Sequence, residues 1–108
     1  METLELSKPL KTLSGETVQS ISFDFDGLKP MDYRNIVRLE ARLKGVNFDM
    51  DAAVSTKSTS SEFRMATAWI AAVNHKDNQI CLDDIDNISF SDLLELEKIG
   101  LFFIMHVE

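Results

Sequence analysis

The stretch "SISFDFDGLKP", residues 20–30, decides how the chain is read. Asp24 and Asp26 stand two apart before Gly27, as at the start of a calcium loop, yet they also alternate with Ile21, Phe23 and Phe25, as in a half-buried strand. The calcium register can be tested directly. With Asp24, Asp26 and Gly27 at loop positions 3, 5 and 6, position 12 falls on Tyr33, where a bidentate glutamate is required. The register fails. What remains is a strand from Val18 to Phe25 that buries Ile21, Phe23 and Phe25 and turns Ser20, Ser22, Asp24 and Asp26 to water. Gly27 and Pro30 then lead it into a helix, so the stretch reads as a β-to-α junction.

Upstream, residues 4–13 alternate in the same way, and "LSGET" (13–17) between the two runs supplies a glycine able to take a positive φ. The two runs read as an antiparallel hairpin over residues 1–27. Pro9 has no N–H and belongs at an edge or a break in the first strand. Downstream, the spacing predicts a helix over 30–44, with proline at its first position, Asp32 in its first turn and Gly45 just past its end. Tyr33, Ile36, Val37, Leu39 and Leu43 are its expected apolar side. The tract "VNFDMDAAVSTKSTS" (46–60) reads as a mobile connector.

A second helix is expected from "TSSE" (59–62), with Thr59 and Glu62 as a capping box. Phe63, Ala66, Trp69 or Ile70, and Val73 mark its inward face, and it should end near Asn74. "HKDNQ" is a turn, a short helical segment follows around residues 82–85, and "SFSD" opens a last helix to about His106, with Ser89 capping and Asp92 at its third position. The fold class is α+β: one domain over 1–108, an antiparallel hairpin or small sheet followed by three to four packed helices over 28–108.

Composition agrees with a single globular domain, 44% hydrophobic and 27% charged over 108 residues. A net charge of −7 disfavours nucleic-acid backbones and anionic membrane surfaces as partners. The longest apolar run, residues 101–105, is far short of the ~20 residues of a membrane span, and no charged-then-apolar leader opens the sequence. Cys81 is the single cysteine; between Ile80 and Leu82 it reads as a buried small hydrophobe in a reducing compartment.

No constellation of catalytic chemistry stands out, and no catalytic, cofactor-binding or metal-binding residue is assigned. "NFDMDA" offers Asn47, Asp49 and Asp51 to a second calcium register, but Ala52 replaces the turn glycine and Ser58 the closing glutamate. His75 and His106 lack partners at zinc spacing and read as a surface turn residue and a residue at a helix C-terminus. Asp83, Asp84 and Asp86 form a dense acidic cluster of the kind common at helix N-termini.

Two features point to a partner. Arg34, Arg38 and Arg42 recur every four residues along one face of the first helix. They are either a solvated face beside a Glu40–Lys44 pair or a basic strip for an acidic surface, such as Asp92, Glu95 and Glu97 of another copy. The second feature is "IGLFFIMHV" (99–107), apolar through more than a full turn at Leu101, Phe102, Phe103, Ile104 and Met105. It is either a helix packed on several sides or an apolar surface awaiting a partner.

The order of features resembles a known family, the small tail assembly chaperones of tailed bacteriophages and prophages. The likeness runs through "LELSKPLKTLSGETVQSISFDFDGLKPMDYRNIVRLEARL" (4–43), the alanine-rich helix over 63–73 and "LDDIDNISFSDLLELEKIGLFF" (82–103). The resemblance implies a non-enzymatic chaperone of the host cytoplasm that binds the tape-measure protein, keeps its apolar stripes from aggregating and is absent from the mature virion. Leu101, Phe102, Phe103 and Met105 would then capture apolar surface, Arg34, Arg38 and Arg42 would pair charge, and a homo-oligomer is compatible. Two competing readings are a structural tail or head–tail completion protein retained in the virion, and an acidic inhibitor that mimics DNA charge.

Overall fold

The computed structural model describes residues 3–45, 60–75 and 77–106. Strand β1 (Thr3–Lys11) and strand β2 (Thr17–Ser22) pair antiparallel, followed by helix α1 (Pro30–Lys44), helix α2 (Ser61–Val73), a 3-10 helix (Leu82–Asn87) and helix α3 (Phe90–Met105). This is the α+β arrangement expected from sequence. The hairpin loop closes through Thr12, whose N–H donates to the Glu16 carbonyl, and Gly15 takes the positive φ of 95° that a side chain would oppose. The Ser/Thr-rich tract over 46–59, with the "NFDMDA" acids and Thr59, lies outside the described residues.

β2 stops at Ser22, three residues short of the expected end, because the backbone of Asp24 leaves the ladder. Its N–H donates to the Ala71 carbonyl of α2 at 3.1 Å, and its carboxylate accepts the Gly27 N–H at 3.0 Å. Asp24 is therefore the acceptor of a tight turn, and a Cβ at position 27 would lie 2.5 Å from its Oδ2. Phe23 nevertheless reaches the core at 2% exposure. The alternation was informative beyond the hydrogen-bonded strand.

β1 departs from regular pairing where Pro9 removes a donor. The register runs from Thr3–Ser22 through Glu5–Ser20, then resumes at Leu10–Val18, so Leu6 to Pro9 bulge opposite Gln19. The N–H groups of Ser7 and Lys8 in this bulge turn to Asp92, the third residue of α3. Its carboxylate accepts from Ser7 at 2.9 and 3.1 Å, from Lys8 at 3.4 Å and from the Ser89 hydroxyl at 2.7 Å. Asp84 does the same one element earlier, accepting the Leu13 and Cys81 N–H groups at 2.8 Å each. On the other edge the Asn78 carboxamide donates to the Ser22 and Ala72 carbonyls and accepts the Ser22 N–H, joining β2 to the end of α2.

α2 is the hub of the core. Ala66, Ala68, Trp69, Ala71 and Ala72 are fully buried, and the Trp69 indole N–H donates to the Leu82 carbonyl at 2.9 Å. Around it pack Leu10, Ile21 and Phe23 from the hairpin side, Ile36 and Leu39 from α1, and Leu96 from α3. Small side chains let helices approach closely. At Gly100 the approach is so close that a Cβ would sit 2.0 Å from the Arg64 carbonyl oxygen of α2.

Several expectations are corrected in detail. The N-cap of α2 is Ser60, one residue after the expected Thr59, which lies outside the described residues; Ser60 accepts the Phe63 N–H at 3.0 Å while its own hydroxyl donates to Glu40 at 2.6 Å. Tyr33 is 48% exposed while its ring lies 6.3 Å from that of Phe63 on α2, and the buried Glu40 joins the apolar side of α1. Cys81 is exposed, because it precedes the 3-10 helix as its cap position and turns outward. His75 is buried, its Nδ1 accepting the Asp77 N–H at 3.1 Å.

Burial alone would raise the carboxyl pKa values of Asp84 and Asp92. The hydrogen bonds from Cys81 and Leu13 outweigh it at Asp84, those from Ser7, Ser89 and Lys8 outweigh it at Asp92, and both are held below the usual carboxylate range. Each therefore contributes stability that is complete above an unfolded-state pKa of about 4 and is lost as pH falls toward the lower folded-state value. Melting temperature should be nearly level from neutral pH to about pH 5 and then fall, and Asp92→Asn should flatten part of that acid slope. Asp92→Ala should cost about 3 kcal/mol in a denaturant titration, since it strands the bulge donors.

Candidate functional site

α3 carries the apolar segment singled out in the sequence, and its geometry divides that segment. Ser89 caps the helix and accepts the Asp92 N–H, which fixes the rotational setting of every later residue. Leu96 and Gly100 face α2 and are buried. Phe103 is half-buried and stacks on Phe25 with ring centroids 4.4 Å apart, and Phe25 in turn lies 5.8 Å from Phe23. The "FDF" of the β-to-α junction thus reaches from the core to the far end of the last helix. Phe102, the next residue back, points outward at 59% exposure, and Met105 is 70% exposed.

Two open grooves flank Phe103. One, of about 560 Å³, lies between Phe25 and Asp26 of the junction and Lys98, Ile99, Phe102 and His106 of α3. The other, about 310 Å³, runs between Leu28, Tyr33 and Ile36 on one side and Phe63 and Ile104 on the other. Both are lined mainly by apolar side chains and rimmed by isolated charges. The His106 ring stacks on Phe102 at 4.3 Å and its Nδ1 lies 2.7 Å from the Phe102 carbonyl, which ties down the helix end beside the larger groove. Among the described residues, no group of three His, Cys, Asp or Glu side chains is arranged to hold a metal ion, and no helix is long and apolar enough to cross a membrane.

The sequence-predicted residues fall in three places. Phe102 and Phe103 line the larger groove, whereas Leu101 and Met105 lie on a different arc of α3. The arginines stand apart on α1. Arg34 and Arg38 are exposed, but Arg42 reaches across to the 3-10 helix, donating to Asp83 at 2.7 Å and to Asp86. The hydrogen bond to Asp83, helped by Asp86, pushes the guanidinium pKa up against a smaller burial penalty. The acidic counterpart is also committed within the chain: Asp92 is buried in the bulge contact, Glu97 pairs with Arg64 at 3.1 Å, and Glu95 pairs with Lys98 at 3.6 Å. The expected acidic surface of Asp92, Glu95 and Glu97 is therefore not a surface at Asp92.

Sequence reasoning missed Phe25, Ile99 and His106 as groove residues. The signal was present on α3, where Ile99, Phe102, Phe103 and His106 recur at helical spacing. For Phe25 it was not, because the reach of a strand-end phenylalanine to residue 103 depends on the tertiary path. Comparison with protein-family models, with curated proteins and with solved structures returned no match.

The half-buried and exposed phenylalanines should separate by stability. Phe103→Ala, which removes the stack on Phe25, should cost about 2 kcal/mol, while Phe102→Ala should stay within about 0.5 kcal/mol in the same denaturant titration.

Proposed function

We propose that the protein is a non-enzymatic tail assembly chaperone of a bacteriophage or prophage, which binds the tape-measure protein and keeps it soluble until the tail tube forms around it. The observation that carries this reading is the larger groove with Phe102 at its mouth: an open apolar trough walled by Phe25, Ile99 and Phe103, set in an acidic protein. A long, largely helical client presents apolar stripes, and a helix laid into a groove buries such a stripe through contacts spaced three or four residues apart. The N-terminal likeness over residues 4–43 supports the same reading. Under it the protein works in the host cytoplasm, leaves before the virion is complete, and makes no use of nucleic acid, membrane or cofactor.

Phe102 and Phe103 are the proposed capture residues, and Arg34, exposed on the separate face of α1, is the proposed charge-pairing residue. Co-expression with the neighbouring tape-measure gene should keep that protein soluble and co-purify the two. Phe102→Asp, at an exposed position, should leave the fold intact and abolish the co-purification. A folded Phe102→Asp protein that still holds the tape-measure protein in solution would remove the groove from the account, and finding the protein in purified virions would favour a structural tail component.

A further inference from the structure

The outer arc of α3 is a second apolar surface, which adjoins the groove at Lys98. Phe90, Leu94, Leu101 and Met105 fall within about 60° of helix azimuth and span about 22 Å of its length. Phe90 is 74%, Leu94 39% and Met105 70% exposed, and Leu101 is half-buried. The chain itself covers more than half of Leu94 and of Leu101, and leaves Phe90 and Met105 largely open at the two ends of the arc. Leu101 and Met105 lie about 40° apart on the helix, Phe102 stands about 60° beyond Met105, and Phe103 is on the opposite side facing Phe25.

We propose that this arc is the seat of a two-fold dimer in which α3 packs antiparallel against α3 of a second copy. The spacing carries the choice of occupant. An isologous contact requires that if residue i meets residue j, then j meets i. Phe90 and Met105 lie equally far on either side of a point between Glu97 and Lys98, and Leu94 and Leu101 are centred on the same point. A two-fold axis there sets Phe90 against Met105 and Leu94 against Leu101 twice over, with no large apolar residue of the arc left unmatched.

The charges beside the arc fit the same axis. In antiparallel helix pairs like flanks face each other. On one flank stand Lys98 and Glu95, 3.6 Å apart and both accessible, so that Lys98 of one copy falls beside Glu95 of the other. On the other flank Glu97 is already neutralised by Arg64. In a chain of net charge −7, this is a surface where two copies meet with little repulsion. A helix of an unrelated protein would need neither the centred spacing nor the matched flanks.

The inference does not rest on the tape-measure reading, although the two surfaces share Lys98, and it is tested on the full chain alone. Sedimentation velocity over a micromolar to submillimolar range should show a monomer–dimer equilibrium, and Leu94→Glu should weaken it by more than about tenfold with an unchanged circular dichroism spectrum. Disulfide trapping in a Cys81→Ser background checks the register without adding charge. Leu94→Cys with Leu101→Cys should form a covalent dimer under oxidation, while Leu94→Cys alone should not, because about 10 Å of axial offset separates position 94 from its own copy. A monomer throughout, an unaffected Leu94→Glu dimer, or equal trapping by Leu94→Cys alone would each overturn the proposal; the last two would indicate another arrangement of copies, and the first leaves the arc to a foreign helix.

Discussion

The fold depends on one buried carboxylate. A two-stranded hairpin is marginal by itself in water, and this one is weakened further where Pro9 and its bulge remove ladder hydrogen bonds. Asp92 converts that weakness into the attachment point. It receives the donors that the bulge frees, at 2% exposure, while its own helix N-terminus and the Ser89 hydroxyl favour its negative charge. Asp84 repeats the arrangement at Leu13, just past the end of β1. Two acids that look like surplus surface charge in the sequence are thus the clamps between the first and last parts of the chain.

With the hairpin fixed at both acids, α2 can be buried on nearly every side. Its run from Met65 to Ala72 is buried without interruption, which an amphipathic surface helix would not allow. Burial on this scale needs small side chains, and the alanines provide them. Gly100 completes the contact from the side of α3. The tight packing of these two helices sets the height and rotation of α3, and hence which of its apolar residues face inward.

Local chemistry was legible in the sequence wherever a single element decided it. The bounds of α1, the αL glycine at Gly45, the Ser89 cap of α3 and the positive φ at Gly15 follow from propensity and capping within a few residues of each site. What the sequence concealed depends on contacts between distant parts. Asp92 reads the same whether it faces water or Ser7, Arg42 reads as part of a strip until Asp83 and Asp86 come within reach, and Cys81 between two apolar neighbours gives no sign that it turns outward. For the candidate site, Phe102 and Phe103 were identifiable as an apolar excess, but not that one stacks inward on Phe25 and the other stands free. The division requires the helix rotation, which packing against α2 supplies.

That rotation bears on how one short helix can serve two kinds of contact. Sixteen residues give α3 four and a half turns, and Leu96 and Gly100 need only one side of them. The remaining circumference holds more apolar side chains than a monomer requires, arranged in two sets: Phe102 with the groove beside Phe25, and the arc from Phe90 to Met105. Exposed apolar area carries a standing aggregation risk. A sequence that retains two separate sets, each bordered by charged residues, is better explained by two uses than by one loosely defined sticky surface. The junction "SISFDFDGLKP" enters that account directly, since its Phe25 forms one wall of the groove and holds Phe103 in place, leaving Phe102 at the mouth.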